Sequence, residues 1–164
     1  NPDTLKLFIT WTFGSLSSVG WEQMSVMAPV IACGILTALL LQKQLNILLL
    51  GKNYANGLGV SVPRLRLWII LATALLAGTS TAFTGPIAFI GITMPHVARG
   101  LFGSPNHRII LPASMLCGAI TLLVCDLISQ LPGMQGTLPI NAVTALFGSP
   151  IIVWIILRNS YINK

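Results

Sequence analysis

The sequence predicts an all-α, polytopic transmembrane bundle of about five spans, with short helices on its cytoplasmic side. Three observations lead there: extreme apolarity, apolar runs of helix length, and positive charge confined to alternate connections. Of 164 residues, 54% are hydrophobic and 7% charged, against roughly 25% charged in an ordinary soluble domain. A soluble fold of this length needs a charged exterior, whereas lipid is itself the solvent for an apolar face. The net charge of +6 does not mark a nucleic-acid binder, because the basic residues are scattered between apolar runs and not interleaved with aromatics.

Residues 1–23 read as an extramembrane approach, in which Trp11 and Trp21 bracket a Gly/Ser-rich stretch; indoles favour the membrane–water boundary. A basic stretch leading to a small-residue cleavage site is missing, so no signal peptide is expected, and a start at Asn1 rather than Met suggests a piece of a longer chain. Apolar runs follow at 24–41, 67–83, 86–101, 111–130 and 139–157. The first, second, fourth and fifth can each cross a hydrocarbon core of ~30 Å at 1.5 Å per residue. The third is short and carries Pro86, Gly91 and Pro95, so charge must decide whether it crosses.

If all five cross, Lys43, Lys52, Arg64, Arg66, Arg99, Arg108, Arg158 and Lys164 share one side, and only Lys6 lies opposite. That asymmetry puts the N-terminus outside and the C-terminus in the cytoplasm. A non-crossing third run would move Arg158 and Lys164 outside. Asp3 and Glu22 fall on the outer side, and Asp126 lies within the fourth run, near its outer end. The cytoplasmic face is left without a carboxylate, open to anionic lipid or to an acidic protein partner.

Catalytic chemistry is not written here: there is no HExxH, GxSxG, carboxylate pair or phosphate-cradling Gly-rich loop. Cys33, Cys117 and Cys125 sit in apolar runs without CxxC spacing, and His96 and His107 have no clustered acids or thiols. Neither a metal site nor a cofactor is expected. Two connections do carry information. Residues 42–66 are too apolar for a solvated loop and too interrupted to span. Short surface helices fit them best, with Leu50, Leu58 and Val60 as anchors and Gly51, Ala55 and Gly59 leaving room for a partner. In the second connection, Pro95, His96 and Arg99 precede His107 and Arg108; His96 and Arg99, three apart, share a helix face as a clasp, a partner contact or headgroup ligands. Asp126 is expected to accept hydrogen bonds within the bundle.

The string Gly85-Pro86-Ile87-Ala88-Phe89-Ile90-Gly91, then Pro95-His96, Arg99, Gly103, His107-Arg108 and Leu111-Pro112, resembles the FecCD-type permeases. These are membrane subunits of ABC importers for iron–siderophores, haem and cobalamin. Leu45-Asn46, Leu50-Gly51, Ala55, Leu58-Gly59-Val60, Gly118-Ala119, Asp126, Leu138-Pro139-Ile140 and Gly148 extend the likeness along almost the whole chain. The resemblance implies one transmembrane domain over residues 1–164, the C-terminal half of a ten-helix permease of the bacterial cytoplasmic (inner) membrane. It further implies a cytoplasmic ATPase received by coupling helices within residues 42–66, a second permease subunit in a homodimer or heterodimer, and a periplasmic or lipoprotein substrate-binding protein. Lys52 stands where Glu is common among relatives, and Gln130 and Thr137 replace a frequent Arg and Glu. The alternative is a secondary transporter with helices broken at the third and fifth runs, which would need its own ion site at mid-membrane.

The charge asymmetry makes a testable statement. With the native thiols removed, single cysteines at Arg64, His107 and Lys164 should resist an impermeant thiol reagent in intact cells, and cysteines at Lys6 and Gln135 should react. Labelling from outside at position 107 would overturn the five-span topology.

Overall fold

The computed structural model describes residues 2–16, 19–130 and 139–162. Gln135, Thr137, Leu138 and Lys164 lie outside the described residues, as do the side chains of Lys6 and Arg158. Among the described residues seven helices run in order: α1 (Pro2–Phe13), α2 (Trp21–Leu48), α3 (Lys52–Gly57), α4 (Val62–Thr84), α5 (Ile90–Phe102), α6 (His107–Ser129) and α7 (Ile140–Ile162). Among the described residues α2, α4 and α6 are long and apolar enough to cross a membrane, and α7 carries a further apolar stretch over Ile140–Trp154. Their outward side chains, among them Leu40, Leu71, Leu116, Leu127 and Leu146, are exposed in the isolated chain, as lipid-facing residues must be. This is an all-helical membrane bundle.

Several boundaries differ from the sequence reading, for one physical reason. Hydropathy marks where lipid ends, whereas a helix ends where its backbone hydrogen bonds end. The first run stops before Lys43, yet α2 continues through Gln42, Lys43 and Gln44 to Leu48, since these are good helix formers. The second run begins at Leu67, yet α4 begins at Val62, with Pro63 in the first turn, where its missing N–H costs nothing. The expected surface region 42–66 therefore narrows to residues 49–61 and holds a single short helix, α3. Residues 2–13, read as an approach segment, form α1. At about 18 Å it is too short to cross alone.

α2 pairs with α4 and α5 with α6; α6 also touches α2 and α7, and so sits at the centre. On α2, Gly34 lets the backbone approach Leu76 of α4 so closely that a Cβ would lie 2.7 Å from that side chain, the small-residue contact typical of membrane helices.

Residues 85–89 are not helical. They connect α4 to α5, whose 13 residues reach only about 20 Å. Non-helical backbone is tolerated at membrane depth only where protein satisfies it, and Asn141, in the first turn of α7, does so. Its amide nitrogen donates to the Pro86 carbonyl at 2.6 Å and to the Thr12 carbonyl at 3.3 Å, and its amide oxygen accepts from the Ala88 N–H at 3.0 Å. The Ser15 N–H donates to the Thr84 carbonyl at 2.9 Å. Gly85 has φ +76°, and a Cβ there would collide with the Trp11 carbonyl oxygen, so only glycine lets α1 close on this junction. Phe89 has φ 68°, an outlier for a bulky residue. It packs on Gly148, where a Cβ would come within 2.5 Å of its own, and this contact between α5 and α7 encloses Thr93 and Thr144, both wholly buried.

Asn141→Leu should therefore lower the thermal midpoint in detergent, because each orphaned backbone group costs about 1–3 kcal/mol. Asn141→Asp, which keeps the acceptor for Ala88 and loses both donors, should fall between wild type and Leu. An unchanged midpoint for Asn141→Leu would show that residue 141 does not hold the junction.

Candidate functional site

The described charges divide between the two ends of the bundle. Glu22 in the first turn of α2 and Asp126 near the end of α6 lie at the junction end. Lys43, Lys52, Arg64, Arg66, Arg99 and Arg108 lie at the opposite, basic end, where α3 projects between α2 and α4.

α3 has six residues, too short for a stable isolated helix, so its seat must hold it. Ala55 supplies that seat. It is 0% exposed, its N–H donates to the Gly51 carbonyl and its own carbonyl accepts from Val60 N–H, both at 3.0 Å. This corrects the reading of Ala55 as space left for a partner: the small side chain is spent within the chain, holding α3 on its neighbours. The remaining candidates divide accordingly. Leu50 and Leu58 are exposed together with Leu49 and Tyr54. Gly51 and Gly59 are exposed and Val60 is half-buried. Gly57 is exposed, and a Cβ there would meet nothing within 4 Å. Beside this apolar ridge lies a cleft of about 330 Å³ lined by Lys52, Asn56, Val62, Pro63 and Arg66. Two cations and an amide face that cleft, and among the described residues no carboxylate shares this end.

The second set is brought together only in part. Pro95, His96 and Arg99 lie on α5, and His96 and Arg99 are both exposed. Among the described residues His96 makes no hydrogen bond, so the expected clasp does not form there. It forms one helix further on. Asn106 caps α6, its side-chain oxygen accepting from the Arg108 N–H at 3.0 Å. Asn46, in the last turn of α2, donates to that same oxygen at 2.7 Å, and its own oxygen accepts from the His107 N–H and from His107 Nδ1, both at 2.8 Å. The Asn46 and Asn106 contribution escaped the sequence reading. An asparagine amid apolar residues at a helix end was the available signal, since a polar side chain near lipid needs a protein partner.

Asp126 also departs from expectation. Its carboxylate accepts from Gln130 Nε2 at 2.7 Å, one turn along at the C-cap of its own helix; among the described residues no other span donates to it. Gln130 is thus a neutral donor to the carboxylate.

Against this geometry stand the comparisons with known proteins. The sequence profile of the FecCD transport family matches residues 1–158. The chain is 41% identical over 158 residues to the vitamin B12 import system permease protein BtuC of Vibrio cholerae serotype O1, covering 94% of this chain and 46% of that protein. It is 40% identical over 148 residues to the Fe(3+) dicitrate transport system permease protein FecC of Escherichia coli (strain K12), covering 90% of this chain and 44% of that one. It therefore spans about half the length of the curated relatives it matches. A solved metal-chelate type ABC transporter in an inward-facing conformation superposes with a TM-score of 0.84 at 30% identity, covering 93% of this chain and 50% of that one.

The local bond of Asp126 predicts a mild phenotype. Asp126→Asn keeps an oxygen for Gln130 Nε2, so stability in detergent should change by no more than about 0.5 kcal/mol. Loss of folding would mean that the carboxylate's charge serves another helix.

Proposed function

The chain belongs to the FecCD transport family, and on that premise we propose that it forms the membrane conduit of an ABC importer, driven by a separate ATPase that docks on α3. Its relatives carry names for import of vitamin B12 and Fe(3+) dicitrate, which supports a metal chelate as cargo: an iron–siderophore, haem, cobalamin or related complex. The working unit pairs this permease with a second permease subunit, two ATPases and a substrate-binding protein, in the bacterial cytoplasmic membrane with the basic end inward.

The observation that carries this reading is the form of α3. A conduit without a nucleotide-binding loop must receive motion by direct contact, so it needs a projecting element that is firm underneath and open on top. α3 has Ala55 buried and Tyr54 exposed, with Leu50 and Leu58 exposed just before and after it, and Lys52 and Arg66 line the cleft beside it. An apolar ridge flanked by cations suits a partner groove with an acidic edge. The secondary-transporter alternative requires a coupling ion site at mid-membrane, and the two acids in described spans lie toward the junction end, Glu22 in the first turn of α2 and Asp126 bonded to Gln130 near the end of α6.

The test follows from what is open and what is filled. Gly57→Trp places a ring where nothing lies within 4 Å, so in the full-length permease it should spare insertion yet obstruct docking. A bulky residue in a packed contact costs about 1–3 kcal/mol, a loss of one to two decades in ATPase affinity. Arg66→Glu should weaken association further at low salt than at high salt. Ala55→Trp should instead disturb the permease itself, and Gly59, at φ +80°, would strain under any side chain, so neither is a clean probe. ATPase co-purification and transport at wild-type levels in both Gly57→Trp and Arg66→Glu would end the docking claim.

A further inference from the structure

Asn46 lies in the last turn of α2, just before the Leu49–Gly51 turn that opens into α3. Asn106 and His107 lie at the start of α6. The residues are separated by 60 and 61 positions in sequence, yet form one closed hydrogen-bond network at the basic end. Backbone donors fix its orientation. The His107 N–H requires an acceptor, which makes the facing atom of Asn46 its oxygen. The Arg108 N–H does the same for Asn106, which leaves the Asn46 amide nitrogen to donate to the Asn106 oxygen. His107 Nδ1, 2.8 Å from the Asn46 oxygen, must then carry a proton, since an amide oxygen only accepts.

The first-turn amides of a helix have no partner within it. In α6 two of them, at His107 and Arg108, are held by two asparagines, one from its own cap and one from α2. The N-terminus of α6 is thus fastened to the segment that carries α3, and α6 in turn packs against α5 and α7. Apolar side chains between two helices tolerate sliding, but these bonds do not. At 2.7–2.8 Å, a shift of about 1 Å would break them.

We infer that the Asn46–Asn106–His107 network is the mechanical link by which displacement of α3 reaches α6, and that these three are positioning residues for coupled transport. The inference rests on α3 being the ATPase-docking element. A docked ATPase moves α3 and the end of α2 together; the network converts that movement into a shift of α6, and α5 and α7 follow. Without it, the ATPase still docks and hydrolyses ATP, and less of its motion reaches the conduit.

The experiment measures ATP hydrolysed per substrate transported, together with ATPase association, in the full-length importer reconstituted with its ATPase and binding protein. His107→Ala should raise that ratio several-fold with association unchanged. His107→Asn should restore it, because the Asn Nδ2 takes the place of the imidazole Nδ1–H. Asn46→Ala, which also removes the acceptor of the His107 N–H and the donor to Asn106, should raise the ratio further, and the double variant with His107→Ala should be no worse than Asn46→Ala alone. A wild-type ratio in Asn46→Ala, or a double variant worse than Asn46→Ala, overturns the link. Should His107→Ala fail to assemble, His107→Gln, whose donor sits one methylene too far, is compared with His107→Asn, and equal ratios overturn it. Failure of the docking reading is a separate result: wild-type ATPase binding in both Gly57→Trp and Arg66→Glu.

Discussion

A backbone that leaves the helix inside a membrane must find its hydrogen bonds in protein, since lipid offers none. Residues 85–89 impose that demand on the whole bundle. Two carbonyls, at Pro86 and Thr12, and the Ala88 N–H converge on Asn141, which fixes where α1 ends, how α5 enters and where α7 begins. Gly85 is small because the backbone of Trp11 and Gly14 abuts it, and Gly148 because the Phe89 side chain does. The strained Phe89 is held by the same closure. With this end fastened by neutral amides, no buried charge has to be compensated, and α5 can be a helix of only 13 residues.

The basic end is built on a different balance. Its tie is also an amide network, at Asn46 and Asn106, but the surroundings are half-exposed and cationic. Here α3 stands on one buried methyl group, Ala55, with apolar side chains left uncovered on its outer surface. A seat this small fixes the position of α3 and leaves Tyr54 uncovered, as the docking proposed above requires. An end closed around Asn141 and an end presenting α3 fit a conduit driven from the cytoplasm better than a self-contained transporter, which would concentrate polar groups at mid-membrane.

The sequence by itself determined the class of the molecule. An apolar content that only lipid can solvate, helix-length runs and one-sided Lys and Arg identify a helical membrane bundle, and the Gly-Pro, Pro-His and His-Arg spacings point to its family. These features are legible because each is local or periodic along the chain. Helix ends were less legible, since hydropathy reports lipid contact while α2 and α4 extend past the lipid on good helix formers and a first-turn proline. Only the tertiary structure decided the use of individual residues. Ala55 and Gly57 look alike in sequence, and one is buried while the other faces open space. Asn46 and His107 meet across 61 positions, and Asn141 gathers backbone from two segments, α1 and the 85–89 junction. Such roles depend on which atoms lack a partner once the helices have packed, and no pattern along a single chain records that.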